Sequence, residues 1–238
     1  MKKHLLFIPL LVFSLNISAQ MEMDSTEIFH NALIKYSNGD EEENIVYFRV
    51  KDPAAIQREL QVADKEYYES RVKEGKRIQF RKLESYKPKK VEYVKIENGP
   101  TFRTSKYADL SELGLGSIPK NYLLHELAGG KLQIYMLYFD DYVVPGVEVD
   151  RQEQLAKIVE NADIIIAKGD ETGKNLEATK IDNFISDNEQ IYQAYQNGEY
   201  PEVKAAYGSM LKGEAYDPLN NLDALIKIVN DYNQSSNQ

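Results

Sequence analysis

The chain contains no cysteine, and this absence constrains its folding more than any residue it has. Without thiols there are no disulfides to restrict the unfolded ensemble and no cysteine-held zinc or iron–sulfur centre to fold around. Thiol catalysis is excluded for the same reason. The fold must stand on apolar burial alone, which 238 residues with 42% hydrophobic side chains can supply. With 28% charged and 11% aromatic residues, the chain has a globular composition, unlike that of a disordered tract, a coiled coil or a polytopic membrane protein.

Lys2 and Lys3 precede an apolar run, Leu5 to Phe13, broken only by Pro9, and Ile17, Ser18 and Ala19 close the segment. Positive flank, apolar run and small-residue ending predict a signal peptide over 1–19, cleaved after Ala19. The run is under half of the ~20 apolar residues that span a bilayer, so no transmembrane span is expected after signal removal. With no cysteine after the cut, a lipoprotein is excluded. The expected location is the periplasm or cell envelope. Lys2 and Lys3 leave with the leader, which takes the formal net charge from −9 to −11, and the mature chain keeps His30 and His125 as its histidines.

Residues 28–36 and 44–50 read as a hairpin around Ser37-Asn38-Gly39-Asp40, with Glu41 to Glu43 in the loop. Asp52-Pro53 opens a helix predicted over about 52–74, on the recurrence of Ile56, Leu60, Ala63 and Tyr67, with Gly75 as its stop. Strands are expected over 77–85, 90–97 and 101–104, a helix over 120–128, and a strand covered on both faces over 131–139. A helix over 152–161 and a last strand over 162–168 follow. From about 178 the reading is all helix: a capping box of Ser186 and Glu189, a stop at Gly198, a helix through Val203 to Leu211, and a final helix with Leu219, Leu222, Ile226 and Val229 on one stripe. The expected class is α+β. An antiparallel β-sheet-rich N-terminal two thirds (20–148) carries the inserted helix, and a mainly helical C-terminal third (149–238) packs against it as one continuous domain.

Catalytic motifs fail individually. His125-Glu126 begins a zinc-protease pattern, but its fifth position is Gly129. Ser209-Met210-Leu211-Lys212 and Ser186-Asp187-Asn188 match two β-lactamase motifs in reversed order, without the third. Gly114-Leu115-Gly116 starts a glycine fingerprint that Pro119 interrupts. No catalytic residue, metal ligand or cofactor is assigned. Asp140-Asp141 and Asp170-Glu171 are acid pairs of the kind glycoside hydrolysis needs, and solvated loops explain them as well.

Charge is segregated along the chain. Residues 65–106 hold thirteen Lys or Arg against six Glu, whereas 151–238 hold eight against fifteen acids. Arg81, Lys82, Lys89 and Lys90 are the candidate binding residues, on neighbouring strands of one basic face that meets lipid phosphates or an acidic polymer. The plainer reading is the wet side of an antiparallel sheet. Nucleic acid is not an expected partner of an exported acidic protein.

Two resemblances follow from short motifs. Residues 191–218, with Ala194-Tyr195, Gly198-Glu199-Tyr200 and Asp217-Pro218, look like one tetratricopeptide unit and are read as a helical hairpin only. Ile17-Ser18-Ala19-Gln20, Tyr86-Lys87-Pro88, Leu124-His125-Glu126-Leu127, Gly130-Lys131-Leu132-Gln133-Ile134-Tyr135, Phe184-Ile185-Ser186-Asp187 and Ile228-Val229-Asn230-Asp231-Tyr232-Asn233 together resemble a group of uncharacterised exported proteins of Bacteroidota. The resemblance implies an envelope location and an α+β shape, and no catalytic residues. The expected function is a non-enzymatic binding or accessory protein whose partner is an envelope protein or an anionic envelope component. The alternative is an envelope-glycan hydrolase acting through Asp140 and Asp141.

Overall fold

The computed structural model describes residues 28–50, 52–108, 118–139, 151–177, 179–203 and 218–236. Its strands are β1 (Phe29–Tyr36), β2 (Glu41–Tyr47), β3 (Leu60–Ala63), β4 (Glu84–Tyr86), β5 (Val91–Ile96), β6 (Thr101–Tyr107), β7 (Lys120–Ala128), β8 (Leu132–Leu137), β9 (Asp163–Lys168) and β10 (Lys174–Asn175). Its helices are α1 (Pro53–Arg58), α2 (Lys65–Lys73), α3 (Arg151–Glu160), α4 (Asp182–Ile185), α5 (Glu189–Gln196) and α6 (Leu222–Ser235). The strands form a ten-stranded antiparallel sheet in the order β10-β9-β8-β7-β6-β5-β1-β2-β3-β4, so the class is α+β. Two compact units share the chain: up to Thr104 with 121–125 and 138–161, and 105–120 with 126–137 and 162–238.

In the first unit the β1–β2 hairpin turns at Ser37-Asn38-Gly39-Asp40 as expected. Gly39 sits at φ +95°, a conformation that costs glycine nothing and other residues a steric clash. Glu41 to Glu43 lie in β2 instead of a loop, opposite Lys35, Ile34 and Leu33. The cross-strand ladder overrides the low strand preference of glutamate. On the inner face Ile34 lies opposite Val94, and Val94 opposite Phe102. Val46 likewise lies opposite His30 and Val62. All of these side chains are buried.

The single helix expected over 52–74 is two helices with β3 between them. Leu60, Val62 and Ala63 are buried, Val62 and Ala63 opposite Val46 and Ile45 of β2 and Leu60 opposite Tyr86 of β4, so the spacing that fits a helical stripe is consumed by a strand. Glu59 is extended, and Asp64 starts α2 by accepting from the Tyr67 amide at 2.7 Å. The strand expected over 77–85 shrinks to three residues, because Phe80–Lys82 form a 3₁₀ turn. Residues 120–128, expected as a helix, form β7. Leu123, Leu124 and His125 are buried consecutively, which suits a strand covered on both faces and not one stripe of a helix.

In the second unit β8 meets expectation: Leu132, Ile134, Tyr135, Met136 and Leu137 are buried on both faces, with Ile134 opposite Ile166 and Met136 opposite Ile164. β9 is not the last strand, since β10 pairs with it. α5 is capped by Asn188, whose Oδ1 accepts from the Ile191 amide at 3.3 Å, while Ser186 closes α4. Most of the expected 203–211 helix lies outside the described residues. α6 buries Leu222, Leu225, Ile228, Val229, Tyr232 and Asn233. Ile226 is only half-buried and falls off the expected stripe, because the helix proper begins at Leu222, after a 3₁₀ turn over Pro218–Asn221.

Two polar groups tie this unit together. The Asn233 side chain accepts from Leu132 N at 2.8 Å and donates to Leu132 O at 2.8 Å and Gly129 O at 3.1 Å. Gly130 lies so close that a Cβ there would stand 2.5 Å from the Asn233 amide carbon. Asp187 takes an ion pair from Lys168 at 2.5 Å and a hydrogen bond from Tyr232 OH at 3.0 Å. Burial works against both charges, but these bonds hold Asp187 below the usual carboxylate range and raise Lys168. Asn233→Ala leaves the Leu132 backbone groups buried and unpaired and should lower unfolding free energy by about 2–3 kcal/mol. Urea titration monitored by circular dichroism checks this, and a change below about 0.5 kcal/mol would contradict it.

Candidate functional site

β4 is the terminal strand of the sheet, and the four candidate cations bracket it instead of occupying neighbouring strands. Leading into it, Arg71 of α2 donates to Arg77 O at 2.8 and 3.1 Å, and the Gln79 amide donates to Tyr67 OH at 3.0 Å. The 3₁₀ turn that follows closes through Lys82 N to Gln79 O at 2.8 Å, which leaves Arg81 and Lys82 exposed. β4 then pairs with β3, Tyr86 opposite Leu60 and Glu84 opposite Val62.

A second 3₁₀ turn, Pro88–Lys90, follows β4. Three successive carbonyls of this turn are held: Pro88 O by Thr104 Oγ1 at 2.9 Å, Lys89 O by Ser37 Oγ at 2.8 Å, and Lys90 O by Ser37 N at 3.0 Å. The backbone is pinned to the β1–β2 turn and to β6, while the ammonium groups of Lys89 and Lys90 project into solvent. Residues 83–87 separate the two turns, a span of about 17 Å at 3.3 Å per extended residue. Arg81, Lys82, Lys89 and Lys90 have no carboxylate partner among the described residues. Lys87 pairs with Glu59 at 2.8 Å.

Nearby carboxylates are engaged by phenols. Tyr36 OH donates to Glu42 at 2.6 Å, Tyr86 OH to Glu84 at 2.5 Å and Tyr93 OH to Glu41 at 2.6 Å. Burial and the Glu42 hydrogen bond push the Tyr36 phenol up, and the Glu84 hydrogen bond raises Tyr86. On the outer face a row of rings runs Tyr68–Phe29–Tyr47–Phe80, with centroids 5.6, 5.5 and 5.0 Å apart. Phe80 ends the row with 55% of its surface exposed. Sequence reasoning passed over Tyr47 and Phe80. The available signal was an aromatic residue directly before Arg81-Lys82.

The two histidines, 95 positions apart, converge in the core of the first unit. His30 contacts Phe48 at 6.1 Å, Phe48 contacts Phe102 at 5.6 Å, and Phe102 contacts His125 at 5.6 Å. His125 Nδ1 shares a 2.5 Å hydrogen bond with Tyr138 OH. His125 therefore lies on a buried strand, not on the short amphipathic helix expected over 120–128. Burial pushes its pKa down to about 4 and raises that of Tyr138. Among the described residues no group of three or more His, Asp or Glu could hold a metal ion.

Asp140, Asp141, Ser209, Gly114 and Gly116 lie outside the described residues, as does the segment 1–19 predicted as a signal peptide. Asp170 and Glu171 occupy an exposed turn after β9. Among the described residues no helix is long and apolar enough to cross a membrane. Comparison with protein-family models, with curated proteins and with solved structures finds no match to the chain.

His125 imposes a pH dependence on the fold. It titrates near 6.5 when unfolded and near about 4 when folded, so between these values the native state binds fewer protons. Its contribution is complete above pH 6.5 and declines as pH falls towards 4, by about 3 kcal/mol in total. Urea unfolding across this window should show a steeper acid loss for the wild type than for His125→Gln. Equal slopes would contradict the assignment.

Proposed function

We propose that the mature chain is an exported envelope protein that binds an anionic envelope component through the cationic segment around β4, without catalysing a reaction on it. The supporting observation is the anchored, unneutralised set Arg81, Lys82, Lys89 and Lys90. Between Arg77 and Lys90 there are six cations and one acid, Glu84, and Glu84 is bonded to Tyr86. Pinning the turns by backbone carbonyls reduces the ordering cost that weakens ion pairs between mobile surface side chains.

The acidic balance of the whole chain sharpens this reading. A mature net charge of −11 repels anions at long range, and screening confines charge effects to about 8–10 Å at physiological salt. The cationic segment therefore favours a polyanion that spans both turns at close range over a small free anion. The order of the leader, its apolar run and Ala19 supports export.

With Arg81, Lys82, Lys89 and Lys90 all changed to Glu, cosedimentation of the mature protein with envelope fragments should fall at least tenfold at physiological salt, while circular dichroism stays unchanged. Wild-type binding should weaken as salt rises. Undiminished binding by the variant would overturn the reading. The address is checked separately: protein recovered from the native cell should begin at Gln20, and intact precursor in the cytosol would refute export.

A further inference from the structure

We infer that the cavity beside the cationic segment is a binding site for one pyranose ring of an acidic polysaccharide. The inference rests on the proposed function and names the chemical class of its partner. The cavity, of about 310 Å³, is lined by Tyr47, Arg49, Asp52, Glu59, Gln61 and Phe80 over a floor that includes Phe48 and Ile56. This lies at the lower end of ligand pockets, roughly 300–1,000 Å³. It suits one ring with its substituents better than a lipid chain or a folded peptide.

Its walls have the two chemistries that a sugar presents. The rings of Tyr47 and Phe80 meet edge to face at 85°, and the exposed surface of Phe80 is one against which the C–H face of a pyranose packs. Phe80 is more than half exposed although its turn is fixed by the Gln79 and Lys82 bonds, so a ligand covering it gains apolar burial without reordering the backbone. Around this ring pair stand planar or forked polar groups that match hydroxyls as donors and acceptors. Gln61 lies opposite Tyr47 across the β2–β3 ladder. Arg49, over the Tyr47 ring at 5.7 Å, is ion-paired with Asp52. A polyol adds hydrogen bonds to the Arg49–Asp52 pair and to Glu59, which an aliphatic ligand cannot do.

The acidic character follows from what adjoins the ring pair. Arg81 and Lys82 are the next two residues after Phe80 on the same turn, and the cavity's Glu59 is neutralised by Lys87. A sugar seated on Phe80 thus carries its carboxylate or phosphate substituents towards cations, and the following units of the polymer run towards Lys89 and Lys90.

Trigalacturonate, with maltotriose as the uncharged control, tests this on the mature protein by NMR titration. The expected result is that trigalacturonate shifts the ring protons of Tyr47 and Phe80 and binds at least tenfold more tightly than maltotriose. Phe80→Ala should reduce this affinity at least tenfold and Phe80→Tyr should retain it, both with unchanged thermal unfolding. Absence of trigalacturonate binding, equal affinity for maltotriose, or unchanged affinity in Phe80→Ala would each overturn the site. If Phe80→Ala binds trigalacturonate normally while the fourfold charge reversal abolishes envelope binding, the sugar site falls and the cationic surface stands. If charge reversal leaves envelope binding intact, both fall.

Discussion

Strand β1 is hydrogen-bonded along both edges, to β2 on one side and β5 on the other, and the candidate site hangs on that double pairing. Its inner residues Ala32 and Ile34 are buried against the neighbouring strands, so the strand has no freedom to slip by one residue without exposing them. Its outer residue Phe29 starts the contact with Tyr47 that leads to Phe80. The turn at its end supplies Ser37, whose amide and hydroxyl hold the carbonyls of Lys90 and Lys89. A chain without disulfides thus fixes a surface feature by register alone.

Polar chemistry in this protein divides by depth. In the interior, His125 and Tyr138 satisfy each other and are both driven to their neutral forms by burial, which is the inexpensive way to keep ionisable groups in a low-dielectric core. Buried Asn233 and the more exposed Asp187 act as hubs for several donors or acceptors each. At the surface, tyrosines engage Glu41, Glu42 and Glu84, and among the described residues Arg81, Lys82, Lys89 and Lys90 have no carboxylate partner. The seventeen tyrosines are therefore partly packing residues and partly acid-binding groups, a role that their even spread along the chain conceals.

Elements with a strong local signal were legible: the Asn38-Gly39 turn, the two-sided apolar run of β8, and the final amphipathic helix. Those decided by partners were not. Leu60 and Ala63 fit a helix by spacing, with Ile56 and Tyr67, and fell in β3 because β2 and β4 offered edges. Lys120 to Ala128 also read as a helix and became β7. The cationic residues could be found by counting charges, but whether they shared a face, bracketed a strand or scattered depended on where the 3₁₀ turns fell. Phe80 and Tyr47 are 33 positions apart, and only the ladder that pairs β3 with β2 and β4 with β3 brings their rings together.

By itself the sequence determined what the fold could be made of: no cross-links, enough apolar residues for a core, a basic stretch ahead of an acidic one, and turns where glycine permits positive φ. These are properties of residues and their immediate neighbours, set by side-chain chemistry and backbone sterics. Tertiary structure alone decided that two distant histidines share an aromatic core, that β4 ends the sheet, and that the exposed Phe80 meets Tyr47. Each of those depends on strand pairing over long sequence separations. The free energy of such pairing resides in burial and ladder hydrogen bonds between segments that carry no local mark of their partner.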